Sequence, residues 1–135
     1  MKLDAPRSTC PVACALDLVG DRWTLLVLRD LFFGKHRYEE FMASDEGIAT
    51  NILSTRLQRL EQLGMVESAI CPDNRRRKHY ELTPLGRSFG PVIAVLANWG
   101  LEHIDGTEPS KEAKLATQRA RHRRRTDNRR KSSTS

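Results

Sequence analysis

Four consecutive cations, Arg75, Arg76, Arg77 and Lys78, are the first feature of this sequence with a chemical consequence. Adjacent like charges repel, and a phosphate backbone is the obvious partner that relieves the repulsion. They belong to a link, Pro72-Asp73-Asn74-Arg75-Arg76-Arg77, between Met65 to Cys71 and Lys78 to Leu82. Both flanking runs read as strands, so the pattern predicts a β-hairpin with a basic tip. A second chemical face lies upstream. From Ala49 to Leu63, Leu53, Leu57 and Leu60 form one helical stripe. At about 100° per residue the opposite side presents Asn51, Ser54, Thr55 and Gln58, with Arg59 on one flank. Asn and Gln can contact adenine edges, and Ser or Thr can contact bases or phosphates. Thr50 stands at the helix N-terminus, where backbone amides favour a phosphate. Arg56 falls at the edge of the apolar stripe, where an ion pair with a nearby acid and a phosphate contact are equal alternatives. A polar helix face alone is no more than a solvated face. Beside a basic hairpin it becomes a candidate DNA-contacting surface, made of Thr50, Asn51, Ser54, Thr55, Arg56, Gln58, Arg59, Arg75, Arg76, Arg77 and Lys78.

Other elements must hold these two faces. Pro11 suits a first helical turn, and Val12 to Val19 is mostly apolar. Gly20-Asp21 breaks that helix, and Asp21 can cap a second, Arg22 to Phe33, ended by Gly34. Its apolar residues wrap nearly all round, the mark of a central, buried helix. A short helix, Arg37 to Ala43, and a turn, Ser44 to Gly47, lead into the Ala49 helix. Thr83-Pro84 starts a further helix that runs to about Ile104, with Gly90-Pro91 kinking or splitting it. Val92, Ile93, Val95, Leu96, Trp99 and Leu101 are more apolar surface than one small domain needs. The expected class is mainly α with a small β-hairpin wing, a winged helix-turn-helix, and the surplus apolar surface suits self-association. Residues 1–110 form the DNA-binding and dimerisation domain, and 111–135 a basic tail, disordered or marginally helical.

The charge distribution supports local rather than global attraction. The net charge of the 135-residue chain is +6. From 111 to 135 ten Lys or Arg face two acids, Glu112 and Asp127, a net +8, which leaves 1–110 at −2. The overall basicity is therefore a property of the tail, and patches must carry the argument. No apolar run is long enough to span a membrane, and residues 1–11 lack a signal-peptide core, so a cytoplasmic protein is expected. Cys10, Cys14 and Cys71 do not make a disulfide framework, and no histidine is spaced from them for zinc. No metal or cofactor is expected. Paired carboxylates in an apolar setting, a nucleophile elbow and a phosphate-binding glycine loop are missing, which argues against an enzyme.

The run Cys10-Pro11-Val12, then Leu18-Val19-Gly20-Asp21-Arg22-Trp23-Thr24-Leu25-Leu26, resembles the opening of the HxlR-type family of bacterial winged-helix regulators, related to the MarR group. The similarity continues through Arg37-Tyr38-Glu39-Glu40-Phe41, Gly47-Ile48, Leu53 to Leu60, Leu63-Gly64-Met65-Val66, Tyr80 to Gly86 and Trp99-Gly100, covering roughly 10–104. The resemblance implies a homodimer, dimerising through its N- and C-terminal helices, that presents two recognition helices to a palindromic operator in double-stranded DNA, with half-sites ~34 Å apart. By analogy, repression is the more usual mode. Ala49 stands where family members often carry a polar residue, and the Arg-rich tail extends beyond the usual domain.

Cys10 corresponds to a cysteine frequent in the family, which some members use to sense oxidants or electrophiles. Its place at a helix N-terminus beside Arg7 favours a thiolate. Cys14, one turn on, is a conceivable partner, although packing is the commoner role of a cysteine on an apolar helix. A small-molecule effector is left open, since no residue cluster marks a pocket. The alternative to a sequence-specific regulator is a winged-helix RNA- or protein-interaction module whose Arg-rich tail binds nucleic acid non-specifically.

Overall fold

The computed structural model describes residues 1–133, with side chains at all but positions 112, 115–117 and 120. Pro11 opens helix α1 (Pro11–Val19). Asp21 then caps α2 (Arg22–Phe32), its carboxylate accepting from the Trp23 and Thr24 amides at 3.1 and 3.0 Å. Such a cap satisfies amides that have no partner in the helix itself. The short α3 (Tyr38–Met42) follows, with the Glu40 side chain accepting from the Arg37 amide at 3.2 Å. A turn leads into α4 (Thr50–Gln62), whose Leu53, Leu57 and Leu60 are all buried. Each buried leucine contributes about 1.5–3 kcal/mol relative to exposure. With Leu28 of α2 and Phe41 of α3 they form the centre of the core.

Strands β1 (Val66–Cys71) and β2 (Asn74–Leu82) form one antiparallel hairpin. The second strand starts four residues earlier than the expected Lys78. Its turn is confined to Pro72 and Asp73, and Arg75 to Arg77 therefore lie along the strand rather than at the tip. The register jumps from Ile70↔Lys78 to Cys71↔Asn74, so these three arginines have no cross-strand Cα partners and sit in a bulged stretch. A single bridge, Arg37↔His79, and the bond from the Tyr80 amide to the His36 carbonyl at 2.8 Å tie the link between α2 and α3 to β2.

Thr83 closes the hairpin on both sides. Its hydroxyl donates to the Gly64 carbonyl at 2.6 Å and accepts from the Gly86 amide at 3.2 Å, starting α5 (Pro84–Arg87). Gly86 is required by close approach, since a Cβ there would lie 2.0 Å from the Met65 carbonyl oxygen. The expected interruption falls at Ser88-Phe89, and α6 (Gly90–His103) begins just before Pro91. Pro is tolerated there because first-turn amides lack helical acceptors anyway. The chain divides into two compact units, Met1–Ile93 and one beginning at Ala94. The segment from 111, expected to be disordered or marginally helical, carries α7 (Lys111–Ser132), with the Ser110 hydroxyl accepting from the Ala113 amide at 3.1 Å. No helix among the described residues is long and apolar enough to cross a membrane.

Candidate nucleic-acid interface

The helix pair α3 and α4 is fixed at its turn by polar contacts. The Tyr38 hydroxyl donates to the Thr50 carbonyl at 2.6 Å and lies 2.5 Å from the Ser54 hydroxyl. On the other side, buried Asp30 of α2 accepts from Arg29 at 2.8 Å and from Ser44 at 2.5 Å, and lies 3.6 Å from the Lys35 ammonium. Arg29 also grips Glu46 with two bonds of 2.6 and 3.0 Å. The turn from Ser44 to Glu46 is thereby clamped to α2. Asp30 is a functional support that the sequence reading missed. Its signal was a lone acid on the buried side of an apolar helix.

These pairs depress two carboxyl groups. The Arg29 hydrogen bond, against some desolvation, lowers Glu46 to about 2. At Asp21 burial pushes upward, but hydrogen bonds from Thr24 and Arg56 outweigh it and hold the group at about 2. A carboxyl lowered in the folded state stabilises the fold fully above its ordinary value, 4.5 for Glu46 and 3.8 for Asp21, and that contribution is lost as pH falls toward 2. The urea midpoint is expected to drop between pH 5 and pH 2.5, and Glu46→Gln to flatten part of the drop. An equal drop in that variant would remove Glu46 from the account.

The predicted contact residues of α4 divide into two groups. Arg56 donates from Nε to Asp21 at 2.8 Å, so its structural alternative is the one the fold adopts. Arg59 donates to the carbonyls of Asp17 at 3.2 Å and Leu18 at 3.5 Å, a cation at the C-terminal end of α1 where the helix dipole favours it. The Ser54 hydroxyl is engaged by Tyr38, and that of Thr55 donates to the Ile52 carbonyl at 2.9 Å. Thr50, Asn51 and Gln58 are exposed, and their side chains have no hydrogen-bond partner among the described residues. Asn51 and Gln58 are two turns apart on one face, about 10 Å along the axis, which is about three base-pair steps. Ala49 offers no side-chain cap, leaving the first amides of α4 open to an anion.

On the wing, Arg75, Arg76, Arg77 and Lys78 are all exposed. Arg77 lies 3.4 Å from Glu39, whereas Arg75, Arg76 and Lys78 have no acidic partner among the described residues. Cys10 is exposed at the N-cap of α1, and the half-buried Cys14 thiol donates to the Ser8 carbonyl at 3.2 Å. Arg7, expected to favour a Cys10 thiolate, instead pairs with Asp17 at 2.6 Å. The histidines, expected to take part in no metal site, are not all scattered. The bridge to β2 brings His36 and His79 together beside Glu81. The signal in the sequence was His79-x-Glu81, whose spacing of two puts both on one strand face.

A short helix, a clamped turn, a second helix with an open polar face and a cationic hairpin behind it define a winged helix-turn-helix protein. The chain belongs to the HxlR-like helix-turn-helix family, whose model matches residues 18–108. An uncharacterised HTH-type transcriptional regulator of Mycobacterium tuberculosis strain CDC 1551 is 41% identical over 97 residues, 72% of this chain and 61% of that protein. The chain thus spans less than two thirds of that relative's length. An uncharacterised HTH-type transcriptional regulator of Synechocystis is 32% identical over 108 residues, 80% of this chain and 78% of the relative. The solved structure of the redox regulator HypR in its oxidised form matches with a TM-score of 0.64 at 30% identity, covering 71% of this chain and 99% of that one.

Proposed function

We propose that this chain is a transcriptional regulator that binds double-stranded DNA sequence-specifically as a homodimer on an inverted-repeat operator, with repression as its mode. The observation that carries the reading is the pairing of an open Asn51–Gln58 face on α4 with the cations Arg75, Arg76 and Lys78, which have no acidic partner among the described residues. The helix would supply base contacts and the wing phosphate contacts. Dimerisation is supported by α6, which has no buried residue and exposes Val95, Leu96 and Trp99, and by the exposed Val12 and Leu16 of α1. Apolar patches of this kind mark association surfaces.

Selection of bound duplexes from a random pool tests the reading. Enrichment of an inverted repeat with half-sites about one helical turn apart supports it. Binding without enrichment would favour non-specific attachment through α7. Within an enriched site, Asn51→Ala or Gln58→Ala is expected to relax preference at one or two base pairs by about 1–3 kcal/mol each, with binding to random DNA little changed. A uniform loss over all sequences would assign these side chains to support of the fold instead.

Oxidant control is a second reading, favoured by the exposure of the Cys10 thiol and by the likeness to a redox regulator. Peroxide is expected to change operator affinity in the parent chain and not in Cys10→Ser. A Cys10→Ser response equal to the parent's would remove Cys10 from the mechanism.

A further inference from the structure

We propose that His36, His79 and Glu81 form a site for a divalent transition-metal ion of the zinc class at the base of the wing. One donor atom from each lies within 4.8 Å of the other two. The three come from different places in the chain. His36 lies in the link before α3, while His79 and Glu81 are alternate residues of β2, and the Arg37↔His79 bridge brings the two segments together.

The donors are arranged as ligands require. His36 Nδ1 lies 3.1 Å from the Tyr80 carbonyl oxygen. A carbonyl accepts only, so Nδ1 carries the proton and the Nε2 lone pair is left available. Metal-binding histidines are commonly oriented by this kind of outer hydrogen bond. His79 Nε2 lies 3.0 Å from Glu81 Oε1. Ligands on a tetrahedral zinc with bonds of ~2.0–2.1 Å are separated by about 3.3 Å, so this pair already has the spacing an ion between them would need. The His36 ring is stacked on His79 at 4.5 Å between centroids, which brings the third donor beside this pair. Two imidazoles and one carboxylate suit zinc and its neighbours, whereas magnesium and calcium take all-oxygen sets. Both rings are half-buried and Glu81 is exposed, which leaves an entry path and a fourth position for water.

An ion here would join the start of α3 to the strand that carries the wing cations. Metal titration tests the site. Zinc would be titrated calorimetrically into the full chain with Cys10, Cys14 and Cys71 replaced by serine, which removes competing thiols. One ion per chain is expected, with affinity at least tenfold weaker in His79→Ala and in Glu81→Gln. Glu81 is exposed, so the second variant tests the site without disturbing the core, and the same comparison in the cysteine-containing chain covers a serine variant that fails to fold. No saturable uptake up to about 100 µM zinc would overturn the proposal. Uptake unchanged in both variants would overturn it equally, assigning the ion to other ligands.

Discussion

Replacing Arg75, Arg76 and Lys78 together by alanine is expected to weaken binding to every duplex sequence, by about ten- to a hundredfold near physiological salt. The same change should lower the slope of log affinity against log salt by about 2.7, because each neutralised phosphate contributes about 0.9. The three are chosen because no acid lies against them among the described residues, whereas the Arg77 guanidinium is held near Glu39 at 3.4 Å. Arg77→Ala alone should therefore have a smaller effect than Arg76→Ala alone. The fold should tolerate the triple change, since these side chains are exposed and removing mutual repulsion carries no penalty. Filter binding or anisotropy over a salt series reads both quantities. An unchanged slope would move the electrostatic contact away from the wing, and deletion of 111–135 would then show whether α7 carries it.

What the sequence makes legible follows from locality. The helix boundaries of α1, α2 and α4 are marked by Pro11, Asp21 and Gly64, each acting on its own few residues. The Leu53-Leu57-Leu60 stripe reports its buried face directly because the helical period is fixed. The wing cations are visible as a run, but their place along β2 is not. Four cations in a row look like a turn, whereas the backbone ladder extends to Asn74 irrespective of side-chain charge and absorbs the excess residues in a bulge.

The assignment of α4 side chains is the least legible part, for a physical reason. Helical geometry says which way Arg59 points but not what stands there. Its partners, the Asp17 and Leu18 carbonyls, lie 42 and 41 residues away, and Asp21 lies 35 residues from Arg56. Both arginines turn out to fasten α4 to the rest of the domain. Asn51 and Gln58, with no such partner among the described residues, are left to face outward. The helical state of α7 shows a different limit. Composition leaves a disordered and a marginally helical tail both open, because net charge opposes a helix while the Ser110 cap and the high helix propensity of Ala, Lys, Gln and Arg favour one, and composition alone does not rank these effects.

Asp30→Ala is expected to be the most damaging polar substitution in the domain, lowering stability by about 2–4 kcal/mol. The carboxylate is only 4% exposed and is surrounded by Arg29, Lys35 and Ser44. Removing it leaves the half-buried Lys35 without its counter-charge, Arg29 with Glu46 alone, and the Ser44 hydroxyl without its acceptor. The loss is larger than that of an exposed pair because the unmatched groups cannot recover full hydration where they stand. Asp30→Asn keeps an acceptor for Ser44 but not the charge, so its loss should be smaller. Urea denaturation at pH 7 measures both, and a loss below about 1 kcal/mol in the alanine variant would mean that water or Glu46 takes over the role. The effect should also reach the DNA face. Arg29 holds Glu46 and Asp30 together, so without Asp30 the Ser44–Glu46 turn is secured on one side only, and that turn sets the entry of α4. In the folded fraction, specific binding should therefore fall more than binding to random DNA, because base contacts need the angle of α4 held while the wing cations need only proximity to phosphate. Equal losses on both would mean that the clamp serves stability alone.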